Sequence, residues 1–141
     1  MLKRYFNSAI VYASLALAGG VFFREFTKYL QFEGKTNLAF LHTHYFVLGM
    51  IFFLVLALLE KAFAFSETKA ARGWVTVYHV GLNITTACLF LRGLAQATET
   101  VLSSALNGSL SGVSGIGHIL LGASMIALLI LARKSAIKQK G

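Results

Sequence analysis

Two histidines separated by a threonine interrupt an apolar stretch long enough to cross a membrane: Phe40-Leu41-His42-Thr43-His44-Tyr45-Phe46-Val47-Leu48-Gly49. An ionisable ring in hydrocarbon is costly unless a metal, a metal-bearing macrocycle or a buried polar network holds it. Successive helical residues turn by about 100°, so His42 and His44 point to nearly opposite sides of one helix and cannot grip one small ion together. They address two different neighbours.

The chain has two further histidines. His118 stands between Gly115 and Gly122 at spacings of three and four, one face where a flat ring could lie. At a rise of about 1.5 Å per residue it reaches the depth of His42 and His44, so the three can share a site. His79 lies near the opposite end of its helix, beside Tyr78 and Asn83, and belongs to something else; its reading as a metal ligand is the weaker one.

Neutral imidazole is a common axial ligand of heme iron, and heme is apolar enough to sit between membrane helices. Gly49, seven residues after His42, leaves room two turns inward for a porphyrin edge. Arg24 and Arg92 are the candidate partners for heme propionates, because a guanidinium matches carboxylate geometry. The expected cofactor is heme b, held through His42 and/or His44, with His118 as a further ligand. Copper or zinc is the rival, since imidazole suits both, but the acidic or thiolate companions of a closed ion site are missing.

The elements that must position these residues follow from composition. Of 141 residues 57% are hydrophobic, proline is absent and mean hydropathy is +0.71, which is a membrane composition. Four apolar runs approach or exceed the roughly 20 residues needed for about 30 Å of hydrocarbon: Tyr5 to Phe23, Leu38 to Glu60, Gly73 to Leu94 and Val113 to Ala132. The expected fold is an all-α, integral membrane four-helix bundle, a single domain over residues 1–141.

A net charge of +8 raises nucleic acid as a partner, but the placement of the cations excludes it. Lys3, Arg4, Lys61, Lys69, Arg72, Arg133, Lys134, Lys138 and Lys140 flank one side of the four runs, and only Arg24, Lys28, Lys35 and Arg92 flank the other. By the positive-inside rule both termini lie in the cytoplasm, in a bacterial inner membrane. Lys3 and Arg4, followed by an apolar run through Ala16-Leu17-Ala18, imitate a secretory signal, but the run continues to Phe23 and cleavage would unbalance the topology. The lone cysteine, Cys88, excludes a disulfide framework.

Between the runs, Arg24 to Asn37 reads as a segment lying along the headgroups. Thr36 or Asn37 is the expected cap of the second helix, and Trp74 and Tyr78 are the expected interfacial anchors of the third. Thr76, His79, Asn83 and Thr86 draw a polar stripe at helical spacing that should face protein. The same stripe could line a polar path, which keeps a non-enzymatic membrane adaptor or small transporter as the alternative function. Leu94 to Gly112, rich in Thr, Ser, Asn and Gly, reads as a loop that extends the third helix at most.

The stretch His42 to Gly49 resembles heme-carrying helices of subunit I in heme-copper oxidases and nitric oxide reductases. One of these has a His-x-His-Tyr pattern, its two histidines serving hemes on opposite faces; another has a glycine seven residues after its histidine. That resemblance implies axial-ligand roles for His42 and His44. It also implies a homotrimer, with a dimer as the alternative, in which His42 of one chain faces His44 of the next. The whole chain further resembles a small family of four-helix bacterial membrane proteins without assigned function, recognisable by Gly19 to Lys28 (Gly-Gly-Val-Phe-Phe-Arg-Glu-Phe-Thr-Lys) and by His-Thr-His. The sequence lacks the His-His dipeptide and the His-x-x-x-Tyr pattern of an oxidase centre, so oxygen reduction is not expected. Redox or electron transfer, or gas sensing, is.

Overall fold

In a computed structural model that describes residues 1–139, with Glu67 described by its backbone alone, every regular element is helical. α1 spans Leu2–Tyr29. The second span, Ala39–Phe63, is three segments end to end: α2 (Ala39–His44), a π-helical segment (Tyr45–Ile51) and α3 (Phe52–Phe63). A 3-10 turn, Phe65–Glu67, leads to α4 (Lys69–Ala97), and α5 runs from Ser104 to Lys138. All four spans are long and apolar enough to cross a membrane, which makes this a multi-pass membrane protein.

The spans run up, down, up and down, and Met1 and Gln139 both meet the end of α3. The Met1 amino group lies 3.8 Å from Glu60, and Gln139 Nε2 donates to the Phe63 carbonyl. Eight of the nine cations assigned to the basic side therefore gather at this termini end; the ninth, Lys140, lies outside the described residues. Three helices end without a glycine, on left-handed Gln31, Ala64 and Glu99. Each strained residue, costing about 1–2 kcal/mol, lets the chain fold back on its own last turn. Phe32 N–H reaches Thr27 O and Thr100 N–H reaches Ala95 O, closures that return orphan carbonyls to bonding.

Three features differ from the sequence expectation. α1 does not stop at Phe23 but carries Arg24, Glu25 and Lys28 on a helical extension, so Arg24 to Tyr29 continues the first span instead of forming a separate segment. α5 begins at Ser104, not Val113, and reaches about 52 Å at ~1.5 Å per residue. Ser103 caps it by accepting from Leu106 N–H, and Arg92 clasps Asn107 and Ser111, which holds a glycine-rich turn that composition alone reads as loop. Tyr78 is no interfacial anchor: it is fully buried, and its hydroxyl donates to Leu48 O at 2.6 Å. Trp74 is partly exposed.

Lipid tails are as apolar as leucine, so close backbone approach and buried polar bonds hold such helices together. Gly81 of α4 lies against the Leu121 amide of α5, where a Cβ would come within 2.6 Å, and Gly117 of α5 takes Thr85 in return. Gly93 of α4 lies against Leu38 at the start of the second span, while Thr36 Oγ1 donates to Gly93 O and accepts from Leu38 N–H. Thr36, one of the two expected caps, thus serves the helix start and ties it to α4. The large buried side chains, among them Tyr5, Phe53, Leu56, Tyr78 and Leu128, fill the half nearer the termini.

Candidate functional site

His44 sits on the last turn of α2 and His118 in the half of α5 nearer Ser104, and the bundle brings them together. Their ring centres are 6.4 Å apart with planes at 87°. Each Nδ1 lies 2.8 Å from a carbonyl four residues back on its own helix, Phe40 O for His44 and Ser114 O for His118. A carbonyl can only accept, so both Nδ1 atoms carry hydrogen and both Nε2 atoms present a lone pair. An N–H tied to a backbone carbonyl is the usual outer support of a metal-ligating imidazole. Gly115 and Gly122 flank His118 with nothing within 4 Å of where a Cβ would stand, so the face around it is open.

His42 turns the other way, onto α1: a Cβ at Gly20 would stand 3.6 Å from His42 Cβ, and Gly19 receives Leu41. The small pair near the end of α1 thus admits the second span. His42 Nδ1 is buried without a hydrogen-bond partner. The room expected over Gly49 is filled by Tyr12, whose Cβ would be 2.6 Å from a Cβ at that glycine, so no porphyrin edge lies there. Within one chain His42 packs toward α1 and His44 lies near His118.

Immediately after His44 the helix widens into seven π-helical residues, Tyr45–Ile51. The π form is rare and usually a single turn at a functional site. Here it shifts the phase of Tyr45 and Leu48 relative to the histidines, and Tyr78 bonds to a carbonyl of the widened turn. No residue pattern in the sequence announces it.

His79 is held in a separate network. Tyr12 OH lies 2.6 Å from His79 Nδ1, and Asn83 Nδ2 donates to that hydroxyl at 3.1 Å. Tyr45 OH donates to Asn83 Oδ1, and Thr86 Oγ1 stands 2.8 Å from Tyr45 OH. Phe53 stacks on the imidazole with centres 4.6 Å apart. Three members of the polar stripe thus bond across to α1 and the second span, while Thr76 Oγ1 returns to Arg72 O. Tyr12→Phe keeps the ring stacks but strips His79 and Asn83 of their shared partner; the expected loss is about 1–3 kcal/mol, read as a lower thermal midpoint in detergent.

The two arginines part company. Arg24 is exposed, 3.7 Å from Glu25. Arg92 is a clasp: its Nη2 donates to Asn107 O, Asn107 Oδ1 and Ser111 Oγ, while its Nε is buried and unpartnered. Ser111 precedes His118 by seven residues, two turns along α5, so Arg92 stands above the His44–His118 pair toward the loop end.

Among the described residues no three His, Cys, Asp or Glu side chains converge as a metal-ion cage, and Cys88 is buried alone. What the fold and site define is a four-span helical membrane protein with an imidazole pair near the end opposite its termini. The chain belongs to the family described as Protein of unknown function (DUF2871), the match spanning residues 2–135. No curated protein and no solved structure matches it, so the likeness to oxidase subunit I stands on the residues around His42 and His44 alone.

Proposed function

We propose that this protein is a membrane heme b carrier, with His44 and His118 as the residues that would hold the heme and redox or electron transfer as its role. The geometry of that pair carries the reading. Imidazoles that shared one metal at metal–nitrogen distances of about 2.0–2.1 Å would have ring centres roughly 6 Å apart, and these stand at 6.4 Å. Two histidines are too few for a closed zinc or copper site, which needs about four protein ligands. They suffice for iron whose other four ligands come from a macrocycle.

The chain's own contribution is support and shape. Phe40 O and Ser114 O fix both tautomers, Gly115 and Gly122 leave a flat face open, and Arg92 offers guanidinium N–H groups two turns away. Heme supplies a one-electron couple when bound. Two protein ligands leave no open position, which favours electron transfer or redox sensing over oxygen chemistry. The basic termini end faces the cytoplasm on this reading, which puts the pair toward the outer face of a bacterial inner membrane.

Absorbance of protein expressed with adequate heme tests it. Gly115→Leu and Gly122→Leu enter open space and should leave the fold intact while lowering heme occupancy by about tenfold or more, since a flat group and a leucine cannot share the face. Full occupancy in both variants would remove heme from that face.

A further inference from the structure

Toward the termini end, α1 and α4 part to leave a cleft of about 350 Å3, walled below its mouth by Tyr5, Asn7 and Ser8 on one side and by Val75, Thr76 and His79 on the other. The two helices run in the same direction. Ser8 stands one turn before Tyr12, and Thr76 about one turn before His79, so both lie at one level beside the Tyr12 to His79 bond.

The α4 wall holds a donor with nothing to give to. Asn83 gives its amide hydrogen to Tyr12 OH, and the phenol proton then has His79 Nδ1 as its acceptor at 2.6 Å, which leaves the imidazole hydrogen on Nε2. That N–H finds no acceptor among the described residues and is not sealed in protein. On the α1 wall the side chains of Asn7 and Ser8 likewise make no hydrogen bond among the described residues. Donors left idle in a membrane-spanning helix are costly, so two such sets facing each other call for an acceptor between them.

The walls between the donors are apolar, from Tyr5 and Val75, and Phe53 stacks on the imidazole 4.6 Å away and holds its ring in place. The occupant must therefore dissolve in the bilayer, enter between two helices and carry an uncharged acceptor at each of two opposite edges. A phospholipid ester offers a carbonyl to one wall only. A para-quinone is a flat ring with one carbonyl at each edge.

We propose that this cleft seats the ring of a membrane quinone, one carbonyl on His79 Nε2–H and the other toward Ser8 and Asn7, with the isoprenoid tail left in the bilayer. This goes beyond the heme reading and does not rest on it, because its readout is a retained quinone and not absorbance. The test is native mass spectrometry of the full chain released from phosphatidylcholine nanodiscs that hold a short-chain ubiquinone and, in equal amount, the isoprenoid alcohol of the same tail. Wild type should retain the quinone over the alcohol by about tenfold or more, the factor that one or two buried hydrogen bonds supply.

His79→Phe keeps an aromatic ring against Phe53 but removes the N–H, and should cut quinone retention about tenfold. Ser8→Leu fills the cleft and leaves the Tyr12 to His79 bond untouched; it should cut retention as far, and decides the matter if His79→Phe fails to fold. Ser14→Leu adds the same bulk on an exposed face of the same helix, outside the cleft, and should change nothing. Equal retention of quinone and alcohol, full retention in Ser8→Leu, equal loss in Ser14→Leu, or phosphatidylcholine held in place of the quinone would each overturn the proposal.

Discussion

His44→Ala and His118→Ala are each expected to convert a low-spin, six-coordinate heme spectrum to a high-spin one that binds carbon monoxide, and the double variant to lose the Soret band. Loss of a hydrogen-bond partner one step away from a metal costs 10–100-fold in affinity, so loss of both axial ligands should cost roughly 100-fold or more. His42→Ala is the control. It faces Gly20 of α1, away from His118, and its removal should leave the spectrum low-spin. The ring planes would add a second signature: if the two imidazoles held one iron at their 87° angle, its dxz and dyz orbitals would be nearly degenerate and the low-spin electron paramagnetic resonance signal strongly anisotropic. Wild type with no Soret band under ample heme, or a band untouched in the double variant, would dismiss this site.

Some of this geometry is legible in the chain because it follows from helical phase. A separation of two residues sends His42 to α1 and His44 to α5, and equal depth brings His118 to His44. The four spans follow from hydropathy alone. What phase cannot supply is which helix stands on each side. Gly49 reads as open room because glycine has no side chain, yet α1 delivers Tyr12 into that room. Tyr78 looks like an interfacial residue from its place near Trp74, yet the π-helical segment turns a carbonyl toward it. The turns from Ser104 to Gly112 look like loop because propensity is summed locally, whereas Arg92, fifteen residues before Asn107, supplies the bonds that hold them helical.

The glycines should divide by sign in a stability measurement, because a Cβ meets backbone at some and nothing at others. Gly81→Ala places a carbon 2.6 Å from the Leu121 amide and 3.0 Å from Gly117 O. Backbone cannot rotate aside as a side chain does, so α4 and α5 must separate. The cost lies in the upper part of the 1–3 kcal/mol typical of overpacking, roughly 2–3 kcal/mol, after about 1 kcal/mol gained in helix propensity. Gly93→Ala meets the Leu38 amide in the same way and should loosen the second span from α4. Gly108→Ala is the opposite case: nothing lies within 4 Å, and the residue sits in the opening turns of a helix that outreaches the hydrocarbon. There the propensity gain stands alone, and stability should rise by about 0.5–1 kcal/mol. Thermal midpoints in one detergent decide it: Gly81→Ala melting with wild type would mean that this glycine does not set the spacing of α4 against α5, and Gly108→Ala melting below wild type would mean that helix propensity does not limit these opening turns.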